Sequence, residues 1–600
     1  MIWKLSLTGI KSRLKDYLVL FSGLIVASMI FYMFLTIAIN PSFISHDVNA
    51  STDYLNFTFA FGIVLLVLIT FVYLINANSL LLSMRKHDYG MFMSLGAKSS
   101  RIGLLIFIET LITGILATIA GIVLGFGLTV IVSQLLITKL NLQITHFAVI
   151  YPPAIGWTLI FFIFMFFWGA IHNVRKLTHT PIISLLKEDQ KPAKLGNHPI
   201  KLAVEAVLGL LLLAAGYHIL GLPLNMFLLI IPGALITIVA GTYFIFDAAC
   251  VGVINFLIKK RSLSYRGLRV FILGQLKFRL HDLTKILTII SLLFALALGA
   301  ITVGLNFTTL KDLGKESIYY DNIVVSASPA VKTEVAKLHI STEQTYHYKE
   351  NRKNLFLMRD ELKKQPVKDK EAYLAGHEPT YKTVNLALSD LAKSDTHANN
   401  AFSSLLGTTK KIKLVSHSDW QNLPGKPHFL SLMLVKNFEQ DYPTLLKIQQ
   451  LQLKENPHYL NQFNESKPVF YQLISNFSGG FEFMGFFLGL AFLTMLASTL
   501  MFKVLSGAAR DRIRYQMLYQ IGARRRVLSS AVKSELGTLF LLPAVLGILD
   551  VLFGLKLFRI LLPNPYHHLW IPFTIFIVLY FIYYAITVKL YQKVVLPQEK

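Results

Sequence analysis

Tyr515–Glu535 reads YQMLYQIGARRRVLSSAVKSE, and Tyr89–Glu109 reads YGMFMSLGAKSSRIGLLIFIE. Set against each other without a gap, they pair Tyr89 with Tyr515, Met91 with Met517, Phe92 with Leu518, Leu95 with Ile521, Gly96 with Gly522, Ala97 with Ala523, Lys98 with Arg524 and Glu109 with Glu535. Each copy leads into an apolar run of membrane length. Copies this far apart are not a solenoid period; they mark a duplicated unit. Met91, Leu95, Met517 and Ile521 recur at helical spacing, so each copy is expected to form a short amphipathic helix. The glycine that follows accepts positive φ and stops that helix. The basic residues after it suit a partner's carboxylates or lipid phosphates. One copy alone reads as an ordinary basic loop beside a membrane span; two at matching positions read as paired docking segments.

Composition places these copies in a membrane. Of 600 residues, 54% are hydrophobic and 15% charged, which excludes a soluble enzyme and points to a polytopic membrane protein. The net charge of +25 is concentrated in short loops between apolar runs, as the positive-inside rule requires, and not in a nucleic-acid-binding face. Cys250 is the only cysteine, so neither an intrachain disulfide nor a cysteine metal cluster is available. Gly314-Lys315 is followed by Glu316 and Gly425-Lys426 by Pro427, so no Walker A loop is present. Neither a nucleophile elbow nor a zincin motif occurs. The chain is expected to be no enzyme, with no metal or cofactor of its own.

Apolar length predicts ten spans, at about 18–39, 57–75, 111–132, 154–171, 206–220, 226–246, 286–305, 483–502, 536–555 and 571–588. The start, MIWKLSLTGIKSRLKDY, reads as an interfacial elbow helix, and no small-residue cleavage site follows the first apolar run. Arg85, Lys86, Lys98 and Arg101, then Arg175 and Lys176, then Lys259, Lys260 and Arg269 to Arg279, then Arg510 to Arg526 fill alternate loops. That asymmetry puts both termini in the cytoplasm and the polar block 306–476, between spans seven and eight, outside the cell. Strand-like runs at 322–326, 411–415 and 429–435 and helix-like runs at 331–338 and 443–453 make this block a mixed α/β domain. Its histidines lack metal-binding spacing.

A second match, Lys11-Ser-Arg13-Leu14-Lys-Asp16 against Lys277-Phe-Arg279-Leu280-His-Asp282, precedes spans one and seven. The expected architecture is therefore an all-α polytopic membrane protein of ten transmembrane helices in pseudo-duplicated units, with an inserted mixed α/β extracellular domain. Residues 1–180 form the first unit, 181–265 the connecting spans five and six, and 266–305 an elbow helix and span seven. Residues 306–480 form the extracellular domain and 481–600 the rest of the second unit.

Several ionisable residues stand near the membrane rims. Glu109 and Glu535 hold matching places at the mouths of spans three and nine, in an inner-rim set with Arg13, Asp16, Arg279 and Asp282; pairing with a basic residue of the elbow or of the coupling helix competes with simple snorkelling. Asp247 and Asp550 lie near opposite rims, and membrane-embedded ionisable groups raise functional hypotheses. His218 reads as a packed, hydrogen-bonded residue. Phe481, Phe483, Phe486 and Phe487 crowd the start of span eight, as interfacial anchors or as a surface for the tails of a lipid or lipopeptide.

At its L-G-A-K and I-G-A-R segments the sequence resembles the FtsX-like permeases of ABC transporters. There such a turn precedes a glycine-containing span, here with Gly114, Gly121, Gly125 and Gly127. The ten-span layout resembles the bacitracin-type (BceB-like) branch of Gram-positive bacteria, although the outside block is short for that branch. The resemblance implies a separate ABC ATPase, in two copies, that carries the ATP and Mg, and association with a membrane histidine kinase. It implies that movement at the cytosolic face reaches the outside domain, which frees a lipid-linked cell-wall precursor from an antimicrobial peptide or removes the peptide. Tyr89, Met91, Leu95, Gly96, Ala97 and Lys98, with Tyr515, Met517, Ile521, Gly522, Ala523 and Arg524, would couple to the ATPase. Phe481 to Phe487 and Asp550 would touch lipid or peptide. Two alternatives stay open: a scaffold that regulates cell-wall hydrolases, and an exporter of lipids, lipoproteins or small molecules.

Overall fold

All ten apolar runs form helices, and most run well past their apolar stretch. The computed structural model describes the chain apart from residues 1–13, 41–50, 141–147, 179–180, 182–198, 223–226, 261–267, 376–377, 394–395, 407–409, 456–465, 561, 563 and 598–600. The first unit comprises α1 (Leu14–Ile39), α2 (Ser51–Ser94), α3 (Ser99–Leu140) and α4 (Pro152–Thr178). The connecting pair is α5 (Pro199–Ile219) and α6, which runs as Phe227–Phe244, a π turn at Ile245–Ala249, and Cys250–Lys259. Next come α7 (Arg269–Asn306) and α8 (Thr309–Glu316). The inserted domain holds α9 (Pro329–Val335), α10 (Phe438–Glu455) and seven strands. The second unit closes with α11 (Lys467–Gln520), α12 (Arg525–Gly554) and α13 (Trp570–Val595). Ten of these helices are long and apolar enough to cross a membrane, so the protein is multi-pass.

The lengths correct the expectation of separate short amphipathic helices. Tyr89–Ser94 is the last part of the 44-residue α2, and Tyr515–Gln520 the last part of the 54-residue α11. The cause is propagation. Once the apolar run has formed a helix, each added residue gains a hydrogen bond without a new nucleation cost. Neither SMRKHDY nor ARDRIRY contains a residue that stops it.

The two units share more than the motif residues. Gly121 on α3 meets α1, where an added Cβ would lie 1.8 Å from Ser28 Oγ; Gly547 on α12 meets α7, where it would lie 2.4 Å from Phe294 Cδ1. Ser28 and Phe294 have the same chain separation as Arg13 and Arg279, and Gly121 and Gly547 the same as Gly96 and Gly522. Buried Thr36 and Thr302 each bond the carbonyl four residues back, at 2.8 and 2.7 Å. One turn on, Asn40 donates to the Ala148 carbonyl and Asn306 to that of Pro565, tying span one to the approach of α4 and span seven to that of α13.

α11 is the axis of the packing, against α7, α1, α2 and α13. It approaches α7 closely because Gly485 and Gly304 face each other: a Cβ on Gly485 would sit 2.3 Å from the Ala300 carbonyl oxygen. Small residues that let backbones approach are how membrane helices gain dispersion contacts.

The inserted domain has strands β1 (Asn322–Val325), β2 (Ile340–Glu350), β3 (Asn354–Met358), β4 (Lys368–Ala375), β5 (Glu378–Asn385), β6 (Lys411–Val415) and β7 (His428–Val435). Five form a sheet in the order β1-β7-β2-β3-β6, antiparallel except for the parallel β3–β6 pair, and β4–β5 is a separate hairpin. Tyr346, Leu355, Phe402 and Leu430 fill the core on one side; Val331, Leu445 and Ile448 of α9 and α10 pack with Val324 and Met433 on the other. The outer edge of β1 is closed by α10: Gln452 accepts from Val325 N at 2.9 Å and donates to the Ile323 carbonyl at 2.9 Å.

Candidate functional site: the two helix turns and the charge clusters beneath them

Each copy of the motif folds into the same turn. Gly96 has φ 94° and Gly522 φ 102°. Gly96 N donates to the Met93 carbonyl and Ala97 N to that of Phe92; Gly522 N donates to Tyr519 and Ala523 N to Leu518. This is the Schellman arrangement, which satisfies the last carbonyls of a helix. Lys98 and Arg524 then open the next helix, their carbonyls accepting from Ile102 N and Leu528 N. Leu95 and Ile521 stand out at the tips, 84% and 83% exposed, with Met91 and Met517 beside them. Lys98 and Arg524 are exposed, and Arg525, Arg526, Ser529, Ser530 and Lys533 line an open basic groove on α12. Each turn is thus an apolar knob with a basic skirt.

Under each knob lies a buried ionic cluster. In the first unit Glu109 on α3 accepts from the Arg85 guanidinium and, at 3.1 Å, from the Tyr89 hydroxyl, both on α2. Asn173 of α4 lines the same small cavity. In the second unit Glu535 on α12 accepts from the Tyr515 hydroxyl at 3.0 Å and faces Arg279 Nε at 2.9 Å. Arg279, on α7, also donates to Asp511 on α11 and, at 2.8 Å, to the Tyr591 oxygen on α13; the Tyr591 hydroxyl donates to Asp511 at 2.7 Å. Glu109, Asp511 and Glu535 are all almost fully buried. Buried carboxylates persist only when paired and hydrogen-bonded, so each cluster fixes one arrangement of its helices.

Glu109, Glu535 and Arg279 are therefore at the clusters. Arg13 and the side chains of Asp16 and Asp282 lie outside the described residues. Arg85, Asp511 and Tyr591 are cluster members that the repeat comparison passes over. Arg85 and Asp511 occupy matching positions, four before the tyrosine, but carry opposite charge.

The remaining candidates are dispersed. Phe481 and Phe487 are buried, Phe481 stacking on Phe307 at 4.3 Å; Phe483 is half-buried and Phe486 faces outward. Asp550 accepts from the Tyr217 hydroxyl of α5 at 2.6 Å, and the Tyr217 ring stacks on Phe553 at 4.1 Å. Asp247 in the π turn of α6 accepts from Thr284 at 3.3 Å and faces His281. His218 is exposed near the end of α5, not packed as expected, because α5 touches little of the bundle beyond α6.

A joint links the inserted domain to the bundle. Lys467, at the start of α11, donates to Asp321 at 2.7 Å, and Asp321 accepts from Val435 N of β7. Tyr471 packs edge to face on Phe438 and Tyr442, with centroids 5.3 and 5.0 Å away, and Lys315 of α8 pairs with Glu439.

Residues 60–182, from within α2 to just past α4, match the family model described as FtsX-like permease C-terminal. The chain carries an FtsX-like permease domain. It is similar to the uncharacterized ABC transporter permease YvcS of Bacillus subtilis, at 21% identity over 98% of each chain. It is also similar to the ABC transporter permease protein YxdM of the same organism, at 22% over 90% of this chain and 91% of that one. The bacitracin export permease protein BceB of Bacillus subtilis is 22% identical over 50% of this chain and 47% of its own. The homologues are permease subunits of ABC transporters, which implies an ATPase partner for this permease.

Proposed function

We propose that this permease uses a separate ATPase to move its inserted domain, and thereby gives resistance to, and senses, antimicrobial peptides that target the cell wall. Two ATPase copies, holding the ATP and Mg, dock on the knobs at Leu95 and Ile521. The two termini and the knobs are cytoplasmic and the inserted domain extracellular, as the lysine and arginine distribution favours. A membrane histidine kinase reads the state of the complex. The observation that carries this reading is α11. It begins at Lys467, in the joint with the inserted domain, and ends at Gln520, next to the Gly522 turn. One uninterrupted helix of 54 residues spans about 80 Å at 1.5 Å per residue. A rod of that length, packed along the bundle, carries displacement from one end to the other without a separate linkage. The similarity to a bacitracin export permease supports a cell-wall peptide as the agent resisted.

The test is a chimera in which the domain between Ser317 and Ser466 is replaced by that of a related permease. The range of peptides resisted should follow the domain, while co-purification with the ATPase stays at the parental level. A chimera that assembles normally yet keeps the parental range would overturn the assignment of specificity to this domain.

A further inference from the structure

The cluster beneath the second turn draws on four helices: Arg279 from α7, Asp511 and Tyr515 from α11, Glu535 from α12 and Tyr591 from α13. α7 is also the helix that leads into α8 and the inserted domain, where Lys315 of α8 pairs with Glu439. Arg279 is therefore where the ATPase-side turn is tied to the second helix that reaches the domain. In the first unit the guanidinium that meets the matching carboxylate comes from Arg85, on the turn's own helix, at the place where the second unit has Asp511. In the second unit a cation for the buried glutamate comes from α7; in the first, a cation comes from the helix that ends in the turn.

Resting on the function proposed above, we infer that Arg279 is a positioning residue of the coupling machinery: it makes α7 and α11 move as one body when the Gly522 turn is displaced. Asp511 and Glu535 are its two anchors, and Tyr591 keeps α13 in register with them. With Arg279 removed, Glu535 loses the guanidinium beside it while Asp511 keeps Arg514 at 3.5 Å, and breaking a buried pair in this way is strongly destabilising. Neutrality can be restored without restoring the tie. Asp511→Arg combined with Arg279→Gln removes one carboxylate and places a guanidinium on α11 facing Glu535, as Arg85 faces Glu109.

The test uses the full chain co-expressed with its ATPase, in a Cys250→Ser background, with an environment-sensitive dye on Lys364→Cys in the inserted domain, where Lys364 is exposed. Arg279→Gln alone should lower the yield of complex several-fold. The double variant should recover parental yield, yet its dye should lose the emission change that ATP and Mg produce in the parent. Recovery of both yield and emission change would show that the cluster only stabilises the fold. Failure to recover yield would show that positions 85 and 511 are not equivalent; either result overturns the inference. A parent complex whose dye ignores ATP would instead contradict the proposed function, and the yield comparison would still judge the equivalence of the two clusters.

Discussion

Gly96 and Gly522 are held by backbone conformation alone. A Cβ added at either would find nothing within 4 Å, so a substitution there is strained only by the positive φ. That strain is of order 1–2 kcal/mol per residue for a β-branched side chain, and less for asparagine, which tolerates the left-handed region. Gly96→Val and Gly522→Val should each weaken ATPase coupling, and the double variant should be worse than either; Gly→Asn at the same sites should retain most of it. Coupled ATPase rate and complex yield check this, and full coupling in both valine variants would count against the turns as docking elements. Gly485 is the opposite case. Its Cβ would meet the backbone of α7, so Gly485→Val should cost membrane yield several-fold, whatever its effect on ATPase coupling. The turn glycines were legible in the sequence because both copies keep the same residue types around them. The clusters were half legible. Glu109, Glu535 and Arg279 stand out as ionisable residues at membrane rims, but Arg85 and Asp511 differ in sign, and a search for identity between repeats discards that difference.

At the scale of elements, apolar length located every span but not where the helices end. Hydropathy falls after residue 75 and after residue 502, while helix formation continues to Ser94 and Gln520, because polar residues such as Arg, Lys and Gln propagate a helix nearly as well as Leu. The strands of the inserted domain divide the same way, apart from the short apolar β3 (NLFLM), which falls outside the strand-like runs read from the sequence. β1, β6 and β7 carry apolar runs and were legible. β2 (ISTEQTYHYKE), β4 (KDKEAYLA) and β5 (EPTYKTVN) are rich in charged and polar residues, which the pattern of apolar residues alone leaves as loop. The continuity of α11 has a direct consequence. Ser506 is exposed, in the stretch between the buried bundle and the turn, and its side chain donates to the Lys503 carbonyl. Ser506→Pro removes a backbone donor and kinks the helix, at a cost of about 3 kcal/mol. It should abolish coupled ATPase activity, while Ser506→Ala leaves it unchanged; a proline variant with parental coupling would mean that α11 does not act as a rod.

For the whole molecule, the two units and the inserted domain meet along α11, and the orientation proposed for them can be read chemically. In a Cys250→Ser background, cysteine at position 364 should react with a membrane-impermeant maleimide on intact cells and cysteine at 525 should not; the reverse pattern would invert the topology. Orientation alone does not show that the parts move together. The joint at Lys467 does allow that to be asked, because it is the polar contact through which α11 holds Asp321 and, through it, β7. Lys467→Ala removes that hold on Asp321 and leaves the Tyr471 contact of α11 with Phe438 and Tyr442 in place. The decisive measurement is the emission of a dye at Lys364→Cys in the membrane-reconstituted complex with its ATPase, before and after ATP and Mg. A change is predicted in the parent and a clearly smaller one in Lys467→Ala at equal ATPase content; an equal change in both would contradict the transmission of movement through the Lys467 joint of α11 to the inserted domain.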